Sequence, residues 1–227
     1  MIEYNLGGIF MSNSEIRAKA RQDLGGNIFN ATWMTALAAY LIYLLIVGAC
    51  SAVPYVGSVA SLLLTGPLVF GVTGYFLKLA RSTEKPSIDG LFDGFKDFLQ
   101  NFLLYFMTSL FTFLWSLLLI IPGIVKAYAY SMAFYIRRDN PTYSWKECLD
   151  ESQRIMTGHK GDLFCLHLSF IGWALLCICT CGIGFLWLYP YIEAANANFY
   201  DSLVVAPAAP AVDAPSNGPE NTFESAE

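Results

Sequence analysis

Apolar positions along this chain come in long blocks separated by short polar segments. The blocks are Ala31–Val53, Val59–Leu79 (interrupted by Gly66-Pro67), Phe98–Ile121, Ile124–Ile136, Leu163–Thr180 and Ile183–Leu203. Crossing about 30 Å of hydrocarbon takes about 20 helical residues. The first three blocks and the fifth meet that length. The fourth is short and the sixth is diluted by polar residues, so both are expected to tilt, thin the bilayer or rest partly in its interface.

The polar segments before the odd-numbered blocks carry a different pattern. Ser12 with Glu15 and Ser144 with Glu147 match the S-x-x-E capping box, in which each end satisfies a free backbone N–H of the other. In the middle segment Ile88, Leu91, Phe92 and Phe95 fall at i, i+3, i+4 and i+7. Ahead of the fifth block, Trp145, Cys148, Leu149, Ile155 and Met156 form one stripe, with Lys146, Glu147, Asp150, Glu151 and Arg154 around the rest. The segments read as amphipathic helices on a membrane face. The alternative is that they pack on one another as a soluble cap.

Phe29, Phe98 and Phe164 each mark a point where the chain enters the apolar phase, and Gly66, Gly123 and Gly184 mark inner breaks. The expectation is an all-α membrane protein of about six transmembrane helices, arranged as three helical-hairpin repeats with amphipathic cytoplasmic surface helices. Three regions follow: an N-terminal cytoplasmic amphipathic segment over 1–30, a polytopic membrane domain over 31–203, and a disordered acidic Pro/Ala-rich tail over 204–227. Met11 is an alternative start to Met1.

Composition sharpens this picture. Hydrophobic residues make up 56% of the 227 and charged residues only 14%, against about 25% charged in a soluble domain. Much of the outer surface therefore need not face water. A net charge of −5 with no sustained basic run argues against a nucleic-acid partner. Lys and Arg collect on one side, in the surface segments and after the even blocks; the opposite turns, "SAVPYVGS", "IIPGI" and "CTCGIG", carry no charge. The positive-inside rule makes the charged side cytoplasmic, with both termini inside and Arg137-Arg138 as a cytoplasmic stop. The location expected is a bacterial cytoplasmic membrane.

"GLFDGFKDF", "LWSLLLIIPGIVKAYAYSMAFYI", "TGHKGDLFCLHLSFIGW" and "GIGFLWLYPYIEAANANFYDSL" together resemble the bacterial integral membrane family labelled domain of unknown function 975. The resemblance covers Ser12 to Leu203. It implies a multi-pass bacterial membrane protein and carries no established activity.

Catalytic signatures are not found in the sequence: no phosphate-binding loop, no H-E-x-x-H helix and no G-x-S-x-G elbow. No enzyme activity and no cofactor are expected. Cys50, Cys148, Cys165, Cys177, Cys179 and Cys181 read as small packing residues. A Cys50 disulfide to "CICTC", or a metal held there, are the alternatives. Two candidate polar sites stand out. One is intramembrane: Lys126, Tyr128, Tyr191, Glu193 and Asn196; either Lys126, close to its turn, snorkels outward, or it and Glu193 share one cavity between the fourth and sixth helices. The other is His159, Lys160 and Asp162, at head-group level. Membrane lipids are the expected partners, with other membrane proteins or a second copy of the chain as further candidates. A membrane-organising, regulatory or accessory role leads; a small transporter or permease-like subunit is the alternative, and a lipid head-group enzyme comes third.

Overall fold

The computed structural model describes residues 11–26, 30–51, 56–81, 88–180 and 182–205. The tail from residue 206, residues 1–10, Phe29, residues 52–55 of the first turn and Cys181 lie outside the described residues. Within them the chain is helical, and no strand occurs. In order come α1 (Asn13–Asp23), α2 (Ala31–Ser51), α3 (Val56–Ala80), a 3-10 segment (Ile88–Phe95), α4 (Phe98–Leu118), α5 (Ile120–Tyr130), α6 (Ala133–Asp139), α7 (Trp145–Ile155), α8 (Lys160–Leu168), α9 (Ile171–Cys179) and α10 (Phe185–Val205).

Four apolar helical runs are long enough to cross a membrane: Ala31–Cys50, Val59–Ala80, Phe98–Leu118, and Lys160–Cys179. The last is α8 and α9 read through a two-residue interruption at Ser169 and Phe170. Six complete spans and three equivalent units are not established. The fourth block is cut at Ser131 and Met132 into α5 and α6, of 11 and 7 residues, and the surface segments are α, 3-10 and α in turn.

α3 is the central helix. It packs against α2, α4, α6, α10 and the 3-10 segment, and over half of its apolar window is buried inside the protein. Gly66-Pro67, expected as an inner break, lies within α3. Glycine at 66 and 71 serves close approach instead. A Cβ on Gly66 would sit 2.7 Å from the Asn101 carbonyl oxygen, and one on Gly71 would sit 1.8 Å from that of Leu91.

The middle surface segment is 3-10 rather than α, so its period is three. That turns Ile88, Leu91 and Gly94 toward one side. Leu91 is fully buried and Gly94 abuts the Pro67 carbonyl, whereas Phe92 and Phe95 face outward. Phe92, Phe95, Phe98, Phe102 and Phe106 form a continuous ladder of rings with centroids 5.9–6.4 Å apart.

Both capping boxes form, Ser12 with Glu15 and Ser144 with Glu147. Their helices do not turn their apolar stripes to the membrane, and they do not pair as a separate cap. Ile16 and Ala20 of α1, and Cys148, Leu149 and Met156 of α7, are buried in the protein's own core. α1 rests on α10 and α7 on α4–α6. The second hairpin turns at Leu119, extended at φ −158° and ψ 138°, and Pro122 falls in the first turn of α5, where its missing N–H costs nothing. Gly123 lets α5 close on Ser116, and Gly184 lets α10 close on Cys177.

Arg137 and Arg138 are more than a stop. Arg137 is 4% exposed, donates to the carbonyls of Pro141 and Tyr143 and pairs with Asp97 at 3.4 Å. Arg138 pairs with Asp93 at 3.2 Å and lies over the Phe70 ring. Arg81, just past α3, holds Asp139 and Asp201 at 2.7 and 2.8 Å. The charged ends of α3, α6 and α10 are thus tied together.

Candidate functional site

A polar chamber of about 160 Å³ lies between α3, the α5–α6 break, α8 and α10. Thr73, Ser131, Tyr135, His167, Glu193 and Asn196 supply its polar lining. Interrupted helices surround it: the main chain breaks at Ser131–Met132 and at Ser169–Phe170, and Pro190 sits inside α10 one turn before Glu193. Pro190 has no N–H to give to the helix ladder, which loosens α10 beside the chamber.

His167 organises one wall. Its Nε2 lies 2.9 Å from Asn196 Oδ1 and its Nδ1 3.3 Å from the Tyr128 hydroxyl. With the proton on Nε2, the ring donates to Asn196 and accepts from Tyr128. Both nitrogens are engaged, so the ring is held in place. Glu193 is partly buried, and the hydroxyls of Tyr135 and Tyr189 are the groups that act on it. Tyr135 faces the carboxylate without the alignment of a regular hydrogen bond. Tyr189 is stacked on Tyr40 of α2 at 3.9 Å. A carboxylate, a phenol, an imidazole and an amide lining one small pocket can hold a proton, a small cation or a small polar solute.

The five residues expected as one intramembrane site divide into three places. Glu193 and Asn196 line the chamber, and Tyr128 reaches it through His167. Tyr191 turns to α1: its hydroxyl donates to the Arg17 carbonyl at 3.2 Å, and the Arg21 guanidinium lies 5.9 Å from its ring centroid. Lys126 does not share the cavity with Glu193. Its ammonium donates to Gln153 of α7 at 2.8 Å and lies over the rings of Trp115 and Tyr130. Sequence reasoning missed Thr73 and Ser131. No local pattern brings α3 and the α5–α6 break against α10.

At the second expected site His159 Nδ1 lies 3.1 Å from Asp162 Oδ2, and Asn13 of α1 donates to the Asp162 carbonyl at 3.2 Å. His159 and Asp162 tie down the start of α8. Lys160 is the first residue of α8 and is partly buried. Among the described residues no group of three metal-ligating side chains occurs, and Cys50, Cys148, Cys165, Cys177 and Cys179 are free thiols. Burial pushes the Cys148 thiol up to about 11.

A second, larger hollow of about 470 Å³ runs between α1, α2, α9 and α10. Trp33, Trp173 and Trp187 line it, together with Arg21, Thr180 and Gly184.

Among the described residues, four helices are long and apolar enough to cross a membrane, which suggests a membrane protein. A family model described as "Protein of unknown function (DUF975)" matches residues 11–127 and 117–206, and the chain belongs to that family. No curated protein and no solved structure matches it.

Proposed function

We propose that this chain is an integral protein of the bacterial cytoplasmic membrane, with both termini on the cytoplasmic face. In this reading it works without covalent chemistry, organising lipids or neighbouring membrane proteins. The observation that carries it is the division of the surface. Leu45, Leu117–Ile121, Leu175, Leu176, Ile178 and Ile183 are exposed and apolar near the three hairpin ends, while the opposite ends of the helices are closed by ion pairs. Exposed apolar surface on this scale marks contact with lipid or with other membrane helices. Each hairpin returns the chain to the side it left, which supports a common face for the termini.

The test is purification in lipid nanodiscs with identification of bound lipids and proteins, beside a deletion strain under envelope stress. A specific lipid or membrane partner is expected. A preparation holding neither, together with a deletion strain indistinguishable from its parent, would sink the proposal.

A second reading has its own observation. The Glu193 chamber, set among interrupted helices, is the arrangement by which small transporters hold a solute or a coupling ion. Uptake into proteoliposomes that is lost on Glu193→Gln would raise this reading above the first.

A further inference from the structure

Depth along the hairpins, measured from their turns, conflicts with full crossing. In the second hairpin the turn is at Leu119 and α5 starts at Ile120. Lys126 is six residues further on, about 9 Å at 1.5 Å per residue, and there it meets Gln153 of α7. Ala129, about 13 Å from the turn by the same rise, accepts from Ser152 of α7. The outer face of α7 carries Lys146, Glu147, Asp150 and Arg154, all exposed. A hairpin crossing some 30 Å of hydrocarbon would place these charges near the middle of the bilayer, facing lipid, where each is costly.

The third hairpin repeats the relationship. Tyr191 lies seven residues past Gly184, about 10 Å by helical rise, and there it meets Arg17 and Arg21 of α1. Arg21 is exposed and even lines the same hollow as Thr180 and Gly184 of the turn. The first hairpin agrees. Gly94 of the 3-10 segment abuts Pro67, eleven residues from the start of α3, or about 16 Å. Lys96, two residues later, is 79% exposed. Three separate charged segments therefore stand 9–16 Å from the three turns, close to the ~15 Å of one leaflet's hydrocarbon.

We propose that the three apolar hairpin ends enter only one leaflet of the bilayer, with α1, the 3-10 segment and α7 forming a charged collar at that leaflet's surface. The Phe92–Phe95–Phe98 ladder lies at collar level, where aromatic rings favour the interface. The four helices long enough to span then run on past that leaflet, where Trp33, Phe76, Leu104, Leu163 and Leu166 of their inner halves join the protein's own core. Insertion into a single leaflet adds area to that leaflet alone. This deepens the membrane-organising reading and rests on it.

The test uses the full chain with its six native cysteines replaced. Lys146→Cys and Ile121→Cys are probed with an impermeant maleimide in intact cells, in inverted vesicles and in detergent. Lys146→Cys is expected to label in inverted vesicles and in detergent but not in intact cells, and Ile121→Cys in detergent only. Labelling of Ile121→Cys in intact cells would show a crossing hairpin, and labelling in inverted vesicles a hairpin end in water; either overturns the proposal. In parallel, Ile120→Trp, with the native tryptophans changed to phenylalanine, is reconstituted in phosphatidylethanolamine/phosphatidylglycerol vesicles brominated at defined chain depths. Quenching is expected to be strongest for bromines near the chain ends. Strongest quenching near the head groups, or none because protein covers the turn, overturns it. Loss of the protein from membranes at alkaline pH would sink the membrane reading itself.

Discussion

Arg81 and Asp139 form a two-pronged ion pair, with both guanidinium nitrogens 2.7 Å from the carboxylate oxygens. The same guanidinium holds Asp201 at 2.8 Å, and Asp139 also accepts from Tyr200 at 3.0 Å. One arginine past the end of α3 therefore fixes the ends of α6 and α10.

Removing that arginine strands two carboxylates, whereas removing either carboxylate strands none. Breaking a fully buried pair costs about 3–5 kcal/mol. Arg81 is 35% exposed, so about 1–3 kcal/mol is expected for Arg81→Met after allowing for solvent. Asp139→Asn should cost less, and Asp201→Asn least. Thermal unfolding in detergent checks the order; equal losses for all three would show that the three groups hold only as a unit.

Gly71 and Gly94 should tolerate no side chain. The atoms a Cβ would strike are backbone, the carbonyl oxygens of Leu91 and Pro67 at 1.8 and 2.0 Å, so no rotamer change relieves the clash. Gly71→Ala and Gly94→Ala should each cost upwards of about 1–3 kcal/mol and free the 3-10 segment to proteolysis. Gly172→Ala in α9, where nothing lies within 4 Å, should be neutral or stabilise by about 0.4–1 kcal/mol. The contrast between the sites, read from unfolding midpoints, is the measurement.

Lys96 first, and then Arg138, hold the Asp93 carboxyl below the usual aspartate range. A group whose folded pKa is lowered contributes stability above its unfolded value, near 3.9, and loses it as pH falls through the lower folded value. Stability should therefore decline as the pH is taken from about 5 toward 3. Glu15, Glu147 and Glu151 are also held low, by Ser12, Ser144 and Arg154, so the parent's total fall is shared. The difference between the parent and Asp93→Asn isolates Asp93: the variant should lose less over that interval, and matching curves would show that the pairing adds nothing.

What could be read from residues alone was whatever depends on near neighbours. The two capping boxes formed as spaced, because Ser12–Glu15 and Ser144–Glu147 are three-residue relationships. The apolar blocks became helices for the same reason. The stripe of α7 was legible too, but what it would cover was not, since membrane and protein core present the same apolar surface to Cys148 and Leu149. Pro122-Gly123 carried a turn signal that the chain honours three residues earlier, at Leu119, because proline is accepted in a first helical turn. The chamber was half visible: Glu193 and Asn196 share a helix face, whereas Thr73 and Tyr135 arrive from elements far away in sequence.

Lys126 and Glu193 belong to different places, and their variants should behave independently. Lys126 is bound to Gln153 on α7 and lies over two aromatic rings, so Lys126→Met removes one charge-assisted hydrogen bond and leaves Gln153 without that partner, a loss of about 1–3 kcal/mol. Gln153→Leu should produce much of the same loss. The double variant should fall short of the sum by at least about 0.5 kcal/mol, as residues in direct contact do. Glu193→Gln keeps the shape and the hydrogen-bonding capacity beside Tyr135 and Tyr189 while removing the ability to ionise. Its unfolding midpoint should stay near that of the parent, and its combination with Lys126→Met should be additive within about 0.3–0.5 kcal/mol. If the chamber serves a solute or an ion, Glu193→Gln alone will change uptake or the deletion-strain phenotype, and Lys126→Met will not. A shared functional defect, or strong non-additivity between positions 126 and 193, would return both residues to a single cavity and contradict the separation described above.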